Sequence, residues 1–205
     1  MLVTHCPHLQ ELTFNISQIS RRVWDVRHIT KGRWPKLSKL ALGDCDIESG
    51  ESTLDVDINS PFICFLAAHR SLQTIYLPSL SSFPQTIALP PSTLPCLESF
   101  GGNLGHIEGL PMPSFLRNLS LVYEPIAVPM MPVIHTVLQK LTSLESLSIW
   151  LQTSTRYPDY VHTDHSSLFR SLLNSCPRLS HLELTCSSST TFSIVSLIPV
   201  RIDSY

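Results

Sequence analysis

Charge is scarce in this sequence. Asp, Glu, Lys and Arg make up 15% of its 205 residues, against a typical share of about 25%. With 43% hydrophobic residues beside that, the chain has enough apolar matter to fold over most of its length. The net charge of −2 supplies no global field that would gather nucleic acid or an anionic membrane. Long apolar runs are missing too. The best, Pro61 to Ala68 and Phe192 to Val200, fall far short of the ~20 residues that span a bilayer. The opening residues Met1-Leu2-Val3-Thr4-His5-Cys6-Pro7 lack the charged and apolar regions of a secretory signal. No G-x-S-x-G elbow, H-E-x-x-H helix, Walker lysine or G-x-G-x-x-G order is present, which removes the commonest motif-borne chemistries.

Leucine and serine dominate what is there, at about thirty each, far above ordinary usage. Self-similarity explains the leucines. The pattern apolar-x-x-apolar-x-apolar recurs at Leu9/Leu12/Phe14, Leu37/Leu40/Leu42, Leu72/Ile75/Leu77, Leu116/Leu119/Leu121, Leu144/Leu147/Ile149 and Leu179/Leu182/Leu184. A shortened copy stands at Leu97/Phe100, with Gly102 where an apolar residue belongs. Lead-ins precede several copies: Cys6-Pro7, Trp34-Pro35, Pro95-Cys96 and Cys176-Pro177. The stretch Leu37-Ser-Lys-Leu40-Ala-Leu42-Gly-Asp-Cys45-Asp-Ile47 satisfies L-x-x-L-x-L-x-x-N/C-x-L throughout.

A short strand sends alternate side chains to opposite faces, so the second and third apolar positions enter one core together. One such row cannot bury itself, whereas stacked rows can. At ~1.5–3 kcal/mol per buried aliphatic side chain, several rows supply tens of kcal/mol gross. Between the strands lie helix-compatible segments. Pro132 stands at a first helical position ahead of Ile134, Val137, Leu138 and Leu141. Asp164 is suited to cap a helix carrying Leu168, Phe169, Leu172, Leu173 and Cys176. Ser60-Pro61 opens a third, and Val23, Val26 and Ile29 suggest a weaker fourth. Strand, loop and helix in alternation predict an α/β leucine-rich-repeat solenoid, with a parallel sheet on its concave face and irregular helices and loops on the convex one. First leucines lie 28, 35, 25, 19, 28 and 35 residues apart, so bulging loops are expected. The solenoid is assigned to 1–186, with about seven repeats, and 187–205 is read as an atypical tail.

Other constellations were weighed for chemistry. Asp44, Asp46, Glu48, Glu51, Asp55 and Asp57 form an acidic run. Its start resembles a calcium loop, but Ser49 replaces the turn glycine and Asp55 the bidentate glutamate, so an acidic insertion loop is expected. Arg21, Arg22, Arg27, Lys31, Arg33, Lys36 and Lys39 hold half of the fourteen basic residues and read as a solvated face. His162-Thr-Asp164-His165 offers metal-binding side chains without the third or fourth ligand a dedicated site needs. Cys6 and Cys176 occupy equivalent lead-in positions, which predicts buried, reduced structural thiols. Gly101-Gly102-Asn103-Leu104-Gly105 reads as a loosened repeat.

The blocks Cys6-Pro7-His8-Leu9-Gln10-Glu11-Leu12, Trp34-Pro35-Lys36-Leu37 through Cys45, and Cys176-Pro177-Arg178-Leu179-Ser180-His181-Leu182 resemble the leucine-rich-repeat regions of F-box proteins. The irregular set found in mushroom-forming fungi is the nearest in style. In that family an N-terminal F-box docks on a ubiquitin-ligase adaptor and the repeats hold the substrate. The resemblance implies a substrate-recognition scaffold. This sequence opens inside a repeat, without an F-box ahead of Leu9, so adaptor binding is not expected of it.

On a repeat strand the residues between the buried leucines face the concave side. They include Glu11, Lys39, Tyr76, Asn118, Trp150, His181 and Glu183, and the aromatics among them suit interface anchors. The sequence thus predicts a cytoplasmic or nuclear, non-enzymatic scaffold with a protein partner on that face, no cofactor, no metal, no nucleic acid and no membrane. Two alternatives stay open. One is a metal-dependent enzyme using the acidic loop or His162/His165. The other is a truncated fragment without function.

Overall fold

The computed structural model describes residues 6–14, 24–25, 27–43, 45–46, 55–56, 60–77, 86–87, 89–111, 113–127, 130–152, 165–187 and 192–196. The chain divides into two compact units, Met1–Pro113 and Ser114–Tyr205. Both are α/β, with parallel strands as their main ladder.

In the first unit, β1 (Glu11–Phe14), β3 (Lys39–Leu42), β6 (Thr74–Tyr76) and β8 (Ser99–Gly101) pair in chain order, all parallel. Two dipeptide ladders accompany them: β2 (Trp24–Asp25) with β4 (Cys45–Asp46), and β5 (Asp55–Val56) with β7 (Thr86–Ile87). The acidic run expected as a loop therefore contributes two short strands, because parallel neighbours outside the main ladder take up its backbone N–H and C=O groups. The rest of that run lies outside the described residues.

Helices α1 (Arg27–Thr30), α2 (Pro61–Ala68) and α3 (Leu104–Glu108) complete this unit. Helix α2 begins as its sequence predicts. Ser60 is the N-cap, its hydroxyl accepts from the Ile63 amide at 3.2 Å, and Pro61 sits in the first turn, where its missing N–H costs nothing. Phe62, Ile63, Phe65 and Leu66 are buried. Helix α3 is a correction to the reading of Gly101–Gly105 as a loosened repeat. Asn103 caps it, accepting from the His106 amide at 2.8 Å, while His106 Nδ1 accepts from the Asn103 amide at 3.3 Å. The buried His106 ring and the Phe100 ring occupy the place of the missing third apolar residue. A Cβ on Gly102 would come within 2.9 Å of His106 Nδ1 and 3.0 Å of Phe100.

In the second unit, β9 (Asn118–Ala127), β10 (Ser146–Gln152) and β11 (His181–Ser187) are parallel. A 3₁₀ turn at Pro113–Phe115 leads into β9. Helix α4 (Met131–Leu138) precedes β10 and α5 (His165–Ser175) precedes β11. Pro132 stands at the second helical position, one later than its sequence suggests, and α4 starts without a side-chain cap. Asp164 lies outside the described residues. Strand β12 (Phe192–Ser196), in the segment read as an atypical tail, pairs antiparallel with β11.

The apolar triplets form the cores of these ladders. Leu37, Leu40, Leu72, Leu77, Leu144, Leu147 and Ile149 are wholly buried, and Leu9, Phe14, Leu97 and Leu179 are half-buried. Two backbone devices repeat from row to row. First, the amide of the leading leucine donates to the carbonyl three residues earlier: Leu9 to Cys6 (3.2 Å), Leu37 to Trp34 (3.0 Å), Leu72 to His69 (3.1 Å), Leu97 to Leu94 (3.2 Å), Leu144 to Leu141 (3.1 Å) and Leu179 to Cys176 (3.0 Å). Pro7, Pro35, Pro95 and Pro177 occupy the second position of these turns, where a fixed φ suits a β-turn. The lead-in residue is therefore the first of the turn. This corrects the Pro95-Cys96 assignment: Leu94 is the buried lead-in and Cys96 is exposed. Leu94 reaches that place with φ 58°, and Ser92 has φ 66°, a left-handed backbone that costs roughly 1–2 kcal/mol per residue. Burial of the Leu94 side chain offsets it. Cys176 is buried as expected, whereas Cys6 is only half-buried.

Second, the carbonyl just before β1, β3, β6, β9 and β10 accepts two consecutive amides from the next row. Gln10 takes Ser38 and Lys39 (2.8 and 3.0 Å), Ser38 takes Gln73 and Thr74 (2.8 and 3.0 Å), and Gln73 takes Glu98 and Ser99 (2.9 Å each). In the second unit Arg117 takes Glu145 and Ser146 (2.8 and 2.9 Å), and Glu145 takes Ser180 and His181 (2.8 and 3.0 Å). These pairs lock the register of the strands that follow.

Candidate functional site

Because Leu12, Leu40, Ile75 and Phe100 point into the core of the first unit, the residues between them are presented outward. The register aligns Glu11, Lys39, Thr74 and Ser99 in one row, and Thr13, Ala41, Tyr76 and Gly101 in the next. Glu11 and Thr13 are exposed, while Lys39 and Tyr76 are half-buried. Lys39 Nζ lies 3.2 Å from Glu11 Oε2, with the two side chains 40% and 65% exposed. Such a wet pair is worth at most about 1 kcal/mol.

In the second unit Asn118, Ser146 and His181 share a row, as do Ser120, Ser148 and Glu183. Asn118, His181 and Glu183 are exposed. Ser148 Oγ donates to Glu183 Oε2 at 2.8 Å, which aims the carboxylate across β10. Beyond that row Trp150 aligns with Thr185 on β11. On its other side the ladder is interrupted: Ile149 pairs with Leu121 and Leu151 with Ile126. Residues 122–125 of β9 thus stand opposite Trp150 alone, an irregularity in the ladder at that row. Trp150 is half-buried, and its indole Nε1 is buried with no acceptor among the described residues. At the rim, Arg117 Nη1 lies 3.8 Å from Glu145 Oε1, and both side chains are exposed.

None of the seven sequence-predicted face residues is buried. Glu11 and Lys39 come together in one unit, and Asn118, Trp150, His181 and Glu183 occupy consecutive rows of the other. Sequence reasoning missed Thr185, which follows by extending the alternation past Leu184. It also missed the irregularity, whose signal is Pro125 within an otherwise strand-like run, since proline sits in sheets only at edges and irregularities.

The other candidate chemistry finds less. His162 and most of the acidic run lie outside the described residues, and so does the side chain of His165. Among the described residues, no group of three or more His, Cys, Asp or Glu side chains is placed to hold a metal ion. No described helix is long and apolar enough to cross a membrane. Cys176 is a buried thiol whose pKa burial pushes up to about 11, far from the lowered values of reactive cysteines. No protein-family model matches the chain, and no curated protein matches it.

Proposed function

We propose that the chain is a protein-binding scaffold of the leucine-rich-repeat solenoid class, akin to the substrate-recognition half of an F-box receptor. The observation that carries this reading is the two-part joint repeated from row to row: a lead-in turn, then one carbonyl taking two amides of the next strand. A chain that rebuilds the same joint after segments of unequal length is stacking like rows on like rows. Stacking leaves one set of strand residues with no role in the core. Here that set is polar or small around Tyr76 in one unit and Trp150 in the other. Rigid aromatics amid adaptable polar groups are the composition of a surface that holds a protein through many modest contacts. The partner is a protein of the cytosol or nucleus, and no cofactor is required.

Site-specific photo-crosslinking tests the reading. Benzoylphenylalanine placed at Ser146 or Tyr76 should capture discrete protein adducts in cells. The same group at Gln139 or Lys140, exposed at the end of α4, should give none of those adducts. Identical adducts from both sets, or none from the strand positions, would sink the proposal.

A further inference from the structure

We propose that Glu183 and Trp150 together form a seat for an arginine side chain presented by the bound protein. This rests on the docking reading above and adds the chemistry of what is recognised. Glu183 is exposed, yet it is not a loose carboxylate: the Ser148 hydroxyl holds its Oε2 at 2.8 Å, and no cation pairs with it among the described residues. The lysine and arginine of the outward rows and rim are already engaged, Lys39 with Glu11 in the first unit and Arg117 with Glu145 in the second. His181, in the preceding row of the same strand, is the other titratable group on the described part of this face. Among its described residues the second unit therefore shows an oriented negative charge with no Lys or Arg answering it.

Trp150 lies two residues beyond Ser148 on the same strand and the same face, in the row next to the one Ser148 shares with Glu183. Its buried indole Nε1 turns the polar edge of the ring away from solvent, leaving apolar ring surface as what a ligand touches. A carboxylate beside an indole face is complementary to a guanidinium. The guanidinium forks onto carboxylate oxygens and stacks on aromatic faces, and it sheds water more readily than an ammonium. Glu183 Oε1 is not engaged by Ser148, and each carboxylate oxygen has lone pairs to spare.

The test uses the full chain labelled with ¹⁵N, with the Trp150 indole signal assigned from a W150F variant. Acetyl-Gly-Arg-Gly-amide is titrated against acetyl-Gly-citrulline-Gly-amide, its uncharged analogue. The arginine peptide should move the Trp150 indole and the Ser148 and Glu183 amide signals saturably, with citrulline about tenfold weaker. E183Q should bring arginine down to the citrulline level without changing the melting temperature. Equal response to the two peptides, an unchanged affinity in E183Q, or no saturable shift overturns the seat. Protein crosslinks from Ser146 without an arginine preference in the titration leave the docking reading standing and remove this one. Saturable arginine binding without crosslinks does the reverse.

Discussion

His69 ties the stability of the fold to proton concentration. Its ring is buried among Phe65 and Trp34, with centroids 4.2 and 6.1 Å away. Both nitrogens are engaged: Nε2 accepts the Trp34 backbone amide at 3.0 Å, so Nδ1 carries the proton and donates to the Phe65 carbonyl at 2.7 Å. That arrangement exists only for the neutral ring. Burial lowers the His69 pKa below 6.5; the Phe65 carbonyl pulls it back up in part, and the Arg33 charge depresses it further. Below pH 6.5 the unfolded chain therefore takes up a proton that the folded one refuses. The contribution of His69 is fully present above that pH. It is lost as pH falls toward the lowered folded value, at up to about 1.4 kcal/mol per pH unit. His69→Phe keeps the ring stack but strands the buried Trp34 amide and takes a donor from the Phe65 carbonyl. The first loss costs about 1–3 kcal/mol and the second about 1 kcal/mol. Urea unfolding followed by tryptophan emission, in a Trp150→Phe background, reads the first unit. At pH 7.5 the variant should be weaker by about 2–4 kcal/mol, and the gap should narrow at pH 5.5 as the parent loses its advantage. A gap that is constant with pH, or below about 0.5 kcal/mol, refutes the reasoning.

Two further outcomes follow from packing. Gly32→Ala would drive a methyl into the buried ring of Trp34 and should lower stability by about 1–3 kcal/mol in the same unfolding assay. N-ethylmaleimide mapped by mass spectrometry should modify the exposed Cys64 and Cys96 within minutes, but reach the buried Cys176 only after denaturant is added.

The rows were legible because their signal is doubly periodic. Leu40 and Leu42 satisfy the alternation of a strand, Leu37 joins them in the spacing of the repeat, and all three are buried. Ser60-Pro61 was legible for a similar reason, since hydroxyl cap and ring-locked φ act within one turn. What stayed hidden depends on residues that substitute for one another by shape rather than type. His69, Leu94 and Leu141 fill the place that Cys6, Trp34 and Cys176 advertise, and only counting three back from each first leucine reveals them. Gly102 looked like a defect because the ring that replaces its side chain belongs to Phe100. At the outward face, alternation located Glu183 and Trp150, but the Ser148 bond and the irregularity over residues 122–125 arise between strands. A single row of sequence does not encode its neighbour.

The doubly accepting carbonyls have an evolutionary corollary. Since alignment is decided within three or four residues at each joint, the spacer that follows is released from any duty to be a given length. Mutation can lengthen or trim such spacers while every rung keeps its place, so this architecture tolerates a drift in size that would wreck a protein whose geometry is held by its loops.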